Sequence, residues 1–174
     1  MIACRYAEFT TTKSNITSGG LGTMGFALPA ALGAKMGAPN REVVAVIGDG
    51  GFQMNIQELQ TLVHHQYSLK LVVWNNNGYL SIRATQKKFF SGREIGTDPD
   101  SGLSLPSTEK IAHAYGIPFI RVERNEDLEA ALDAMMNTKG PVILEVINPE
   151  NQEIIPTASS KKLPDGRMVS KPLE

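Results

Sequence analysis

Two short apolar runs, each closed by a polar motif, fix most of what this chain can become. Val43-Val44-Ala45-Val46-Ile47 ends in Gly48-Asp49-Gly50, and the run 69–74 ends in Asn75-Asn76. The 24 residues from Gly51 to Trp74 separate the two motifs. A strand, a crossover helix and a parallel strand together need roughly thirty residues. The spacing therefore predicts a βαβ unit with Asp49 and Asn76 at the carboxyl ends of parallel strands, where open α/β sheets bind ligands. A carboxylate, an amide oxygen and nearby backbone carbonyls form a hard, all-oxygen donor set. Such sets suit Mg²⁺, which keeps waters and draws other ligands from a phosphate group. The two motifs read together as a clamp for a diphosphate.

The rest of the chain supplies alternating elements of the same kind. Residues 18–25, SGGLGTMG, form a flexible turn into a helix over 26–36, with Pro29 near its first turn, where proline is tolerated. Residues 43–47 read as a strand buried on both faces. A helix follows over 55–66, with Ile56, Leu59, Leu62 and Val63 at helical spacing, and then a strand over 69–74. Residues 85–106 show no clear period and suggest a lid or a disordered segment. A helix over 107–115, capped by Ser107 or Thr108 and stopped by Gly116, precedes strands at 118–122 and 141–147 and a helix at 126–137. The expected fold is three-layer α/β/α with a mostly parallel sheet. Three regions result: a partial segment over 1–17, beginning with a short amphipathic helix over 1–6; a binding domain over 18–147; and an extended tail over 148–174.

Bulk properties narrow the partners. The 174 residues suffice for one domain with a real core, and the formal net charge of −1 marks neither a nucleic-acid nor a membrane-surface binder. No apolar stretch approaches a membrane span of about twenty residues, and no signal-peptide profile opens the chain. A single cysteine, Cys4, excludes an internal disulfide and fits the cytoplasm.

Other readings of the motifs exist. Gly-Asp-Gly occurs as a plain turn, and Asn77-Gly78 suits a tight turn with positive φ. The turn reading leaves Asn75 and Asn76 unexplained. Gly20-x-Gly22-x-x-Gly25 matches the dinucleotide fingerprint of a nicotinamide-dependent dehydrogenase, but that fingerprint must follow a strand, and residues 10–18 are poor strand material. A non-catalytic subunit used for assembly is a third reading. His64, His65 and His113 read as surface residues.

The sequence around these motifs resembles a known family. Gly48-Asp49-Gly50 and Asn75-Asn76 at this spacing look like the thiamine diphosphate signature. SGGLGTMGFALPAALGA, from Ser18, and GDGGFQMNIQEL, from Gly48, resemble the acetolactate synthase large subunit over about 18–147. The likeness covers only the carboxy-terminal, diphosphate-binding domain of that family. It implies that Asp49, the Asn76 side chain and the Gly78 carbonyl ligate Mg²⁺. It implies that Gly50 and Gly51 donate backbone N–H groups to the diphosphate, and that the Gly22 carbonyl accepts from the cofactor's 4′-amino group. Met24 would be the wedge that bends the cofactor, and Gly48, Tyr79 and Leu80 complete the cofactor-binding set. The implied substrate is a 2-oxo acid such as pyruvate, and the implied activity is decarboxylation with carboligation. The family's glutamate for pyrimidine N1′ lies in an upstream domain, usually of a neighbouring subunit, and nothing in 1–17 resembles its segment. The resemblance thus implies a homo-oligomer or a partner chain, and no turnover by this chain alone. The tryptophan that acetolactate synthases carry near Thr85 is missing, as is the glutamate that pyruvate decarboxylases place near Ile82.

Overall fold

The computed structural model of the chain describes residues 8–10, 13–152 and 160–170. The helix expected over 1–6 lies outside them. In chain order the described residues form α1 (Ala27–Gly37), β1 (Val44–Gly48), α2 (Asp49–Gln53), α3 (Glu58–His64), β2 (Lys70–Asn75) and α4 (Leu80–Phe89). They continue with α5 (Thr108–Ala114), β3 (Phe119–Val122), a 3₁₀ turn (Asn125–Asp127), α6 (Leu128–Asn137), β4 (Val142–Ile147), β5 (Ser160–Lys162) and β6 (Met168–Ser170).

Four strands make a parallel sheet in the order β1-β2-β4-β3. Parallel strands require crossovers, and the helices that supply them cover both faces. On one face, Ala45, Ile47, Leu71, Val73 and Ile143 pack with Leu28 and Leu32 of α1, Leu59 and Leu62 of α3, and Ala112 of α5. On the other, Val72, Val122, Val142 and Leu144 pack with Met135 of α6. This is the expected three-layer α/β/α arrangement.

Local sequence explains the elements. In α1, Leu28, Ala31, Leu32 and Lys35 are buried, a spacing of three and four residues that turns one stripe to the sheet. Pro29 sits in the first turn, where its missing N–H costs nothing. Lys35 is buried because its Nζ donates to the Arg41 carbonyl at 2.7 Å. In β2 the buried Lys70 is satisfied in the same way, by the Thr138 and Gly140 carbonyls. Ser107 caps α5 by accepting from the Lys110 N–H, and Gly116 follows with φ +66°.

Four expectations need correction. Residues 43–47 are not buried on both faces: Val44 and Val46 are 46% and 41% exposed. Among the described residues β1 is an edge strand, and α6 packs over β3 and β4. The helix expected over 55–66 is shorter, spanning Glu58–His64, and a separate short helix, α2, starts at Asp49 and is joined to it by a run of turns over 54–57. Residues 85–106 begin inside α4, whose polar sequence hid its period, and the loop that follows is pinned rather than free. The tail is not extended throughout: β5 and β6 pair antiparallel around Pro164-Asp165-Gly166. That tripeptide is a strong turn, with the Gly166 N–H donating to the Leu163 carbonyl at 2.9 Å.

Candidate functional site

The register of β1 on β2 brings the two motifs together. Gly48 is paired with Trp74, so Asp49 and Asn75-Asn76 emerge from the same end of the sheet on neighbouring strands. Asp49 is buried. Its Oδ1 accepts from the Gly50 N–H at 2.9 Å and its Oδ2 from the Gly78 N–H at 3.0 Å. The second bond joins the motifs directly. Burial pushes the Asp49 carboxyl above its ordinary pKa, and the backbone amides of Gly78, Gly50, Asn76 and Asn77 pull it down by less. A carboxylate in that condition gains from a nearby cation.

The Asn76 side chain supplies the complementary atom. Its Oδ1 is buried and has no hydrogen-bond partner among the described residues. Leaving a buried acceptor unpaired costs about 1–3 kcal/mol, which a bound cation offsets. Among the described residues no group of three His, Cys, Asp or Glu could hold a metal. An ion at this place would draw on one carboxylate, an amide oxygen and backbone carbonyls, a donor set that suits a hard cation with phosphate ligands. These residues fit Mg²⁺.

Two glycines in the candidate set are there for space and shape. A Cβ on Gly78 would lie 2.1 Å from the Thr97 carbonyl oxygen, and its φ of +142° is open to glycine. A Cβ on Gly50 would lie 2.2 Å from the Tyr79 ring. Tyr79 thus packs flush on the 48–51 turn while its N–H donates to the Thr97 carbonyl at 2.8 Å. Met24 lies beside Gly51: a Cβ there would be 3.6 Å from Met24 Cγ. Gly22 sits in the exposed turn that leads to Met24, its N–H donating to the Ser18 carbonyl at 2.7 Å. Leu80 opens α4, two residues beyond Gly78. Among the described residues no strand precedes Gly20, so the dinucleotide fingerprint lacks its required context.

Several residues that organise the site were not singled out from sequence. Asn55 Nδ2 donates to the Gly25 carbonyl at 2.9 Å and ties the 22–25 turn to the corner after α2. Arg83, buried in α4, reaches Asp98 Oδ2 at 3.2 Å and the carbonyls of Asn76 and Glu150 at 3.4 and 2.7 Å. The Ser101 hydroxyl and N–H, with the neighbouring Arg83, hold the Asp98 carboxyl below its usual range. A cleft of about 180 Å³, lined in part by Asp49, Asn75 and Asn77, reaches to Arg121 and Glu145. The sequence signal for Glu145 is a lone charge within the apolar run VILEVI. Arg83 carries no such mark among the basic residues of α4.

The architecture and this oxygen-rich end of the sheet define a cofactor-binding domain of an α/β enzyme. Residues 1–146 match the thiamine pyrophosphate enzyme C-terminal TPP binding domain, and the chain belongs to that family. It is 40% identical over 156 residues to acetolactate synthase isozyme 2 large subunit of Escherichia coli K12, covering 90% of this chain and 28% of that protein. It is 36% identical over 164 residues to chloroplastic acetolactate synthase 2 of Nicotiana tabacum, covering 92% of this chain and 25% of the relative. A solved thiamine diphosphate-dependent 4-hydroxybenzoylformate decarboxylase of Rhodococcus jostii RHA1 superposes with a TM-score of 0.63 at 27% identity, over 74% of this chain and 24% of that one. The chain thus spans about a quarter of the length of these relatives. Among the described residues no helix is long and apolar enough to cross a membrane.

Proposed function

We propose that this chain is the Mg²⁺- and thiamine diphosphate-binding part of a 2-oxo acid decarboxylase/carboligase that acts on a substrate such as pyruvate. The observation that carries the reading is the buried, unpartnered Oδ1 of Asn76 on the loop whose Gly78 N–H is bonded to the Asp49 carboxylate. Asp49, Asn76 Oδ1 and the Gly78 carbonyl would hold the ion. The backbone N–H of Gly51 would face the diphosphate, joined by that of Gly50 once it leaves the Asp49 Oδ1 to which it donates here. Met24, seated beside Gly51, would set the cofactor's bend, and the Gly22 carbonyl would accept from its amino group. Thiamine diphosphate, when bound, supplies the carbon nucleophile and electron sink for losing CO₂ from a 2-oxo acid; the protein supplies binding, orientation and a dry site.

The donor set for the ion is present in this chain, but the carboxylate for pyrimidine N1′ is expected from an upstream domain. The exposed Val44 and Val46 on the edge strand fit a domain that packs against further polypeptide, in the same chain or in a second copy. Mixing this chain with the amino-terminal domains of an acetolactate synthase-type subunit tests the reading. CO₂ should be released from pyruvate only when both parts, Mg²⁺ and thiamine diphosphate are present. Release that persists without thiamine diphosphate would contradict it.

A further inference from the structure

We infer that Glu145 is a positioning residue for the metal-ligand loop and acts through Asn75, an inference that rests on the metal-site reading above. Glu145 lies in the interior of β4, 1% exposed, directly after Val142, Ile143 and Leu144, which are fully buried. A carboxylate in such surroundings is costly unless every part of it is engaged. Two donors engage it from different strands. Arg121, its register partner on β3, donates Nε to Oε2 at 2.8 Å. Asn75, at the tip of β2, donates Nδ2 to Oε1 at 2.8 Å.

The second bond has a consequence for the loop. With Nδ2 committed to Glu145, the Asn75 amide can present only its oxygen to the loop, and that oxygen accepts from the Asn77 N–H at 2.9 Å. The Asn75 backbone carbonyl is likewise fixed by the Asn148 N–H at 2.7 Å. Asn77 then takes φ +56° and Gly78 φ +142°, which delivers the Gly78 N–H to Asp49. Asn76 lies between two immobilised neighbours, and its Oδ1 stays buried and unpaired. The line from Arg121 through Glu145 and Asn75 to Asn77 is therefore a support behind the ion's ligands. Only a carboxylate serves here. A glutamine would offer one oxygen to two donors and would set its own N–H groups against one of them. Partners behind metal ligands typically change metal affinity 10–100-fold when lost.

Mn²⁺ binding followed by electron paramagnetic resonance, with saturating thiamine diphosphate, tests this on the full chain. The set comprises wild type, Glu145→Gln, Asn75→Ala, the double variant and Asp49→Ala. Each single variant of the support should weaken Mn²⁺ binding about tenfold or more. The double variant should be no weaker than the worse single, because both act through one bond. Thermal unfolding should remain cooperative. Asn75→Ala, at a half-buried strand tip, keeps the test decisive if Glu145→Gln does not fold. Wild-type Mn²⁺ affinity in Asn75→Ala, or penalties that simply add in the double variant, would overturn the inference. Full affinity in Asp49→Ala would instead remove the underlying metal-site reading, so the two failures are distinguishable.

Discussion

Gly78→Ala is the substitution whose cost the structure defines most fully. A backbone at φ +142° is strained for any residue with a Cβ, at about 1–3 kcal/mol. The new Cβ would also stand 2.1 Å from the Thr97 carbonyl oxygen, a main-chain atom that cannot rotate away. That carbonyl is held in turn by the Tyr79 N–H at 2.8 Å. Overpacking of this kind adds about 1–3 kcal/mol. The two costs together give about 2–6 kcal/mol. With a urea slope of about 1–3 kcal/mol per molar, the unfolding midpoint should fall by roughly 1 M or more. Gly92→Ala serves as the control. Gly92 has φ +73° with nothing within 4 Å of an added Cβ, so it should cost about 1–2 kcal/mol from strain alone. Urea denaturation of the three chains by circular dichroism makes the comparison. Equal midpoints for Gly78→Ala and Gly92→Ala would refute the claim that Thr97 and Gly78 are locked against each other.

Two further predictions concern pH and loop order. Burial raises the Asp49 carboxyl, so its proton is held more tightly in the folded chain than in the unfolded one; in the metal-free chain this group's contribution is fully present below the unfolded pKa and is lost as pH rises through the folded pKa. Metal binding needs the carboxylate and reverses the sign, so Mg²⁺-dependent cofactor affinity should fall with acid, starting above the ordinary aspartate range; calorimetric titrations across pH check this, and affinity flat down to the ordinary aspartate pKa would contradict it. Asn55→Ala removes the tether to the Gly25 carbonyl and should cost about 1 kcal/mol, while speeding amide hydrogen exchange selectively over 20–25. Unchanged exchange there would show that the tether does not order the turn.

The strands were legible because a parallel sheet demands continuous apolar runs. The runs at 69–74 and 141–147 became β2 (Lys70–Asn75) and β4 (Val142–Ile147), displaced by about one residue. Asp49 and Asn76 were legible because polar residues directly after such runs must emerge at the strand tips. The burial of β1 is not legible in the sequence, because an apolar run does not report whether a neighbour covers its second face. The start at Asp49 was hidden because Asp-Gly-Gly is poor helix material by propensity, and the strand-end geometry overrides it. The full helix over 80–89 is not legible in the sequence because most of α4 is polar and its single buried side chain is Arg83. The support behind the site was out of reach for another reason. Asn75, Arg121 and Glu145 are far apart in sequence and meet only through the β2-β4-β3 register.

The proposed function requires a divalent ion held between Asp49 and Asn76. Isothermal titration of thiamine diphosphate into this chain, with and without Mg²⁺ and again in Asp49→Ala, measures that claim most directly. Mg²⁺ should strengthen binding to the wild-type chain by at least tenfold and should have no effect on the variant. Equal affinity with and without the ion, or an undiminished Mg²⁺ effect in Asp49→Ala, would contradict it.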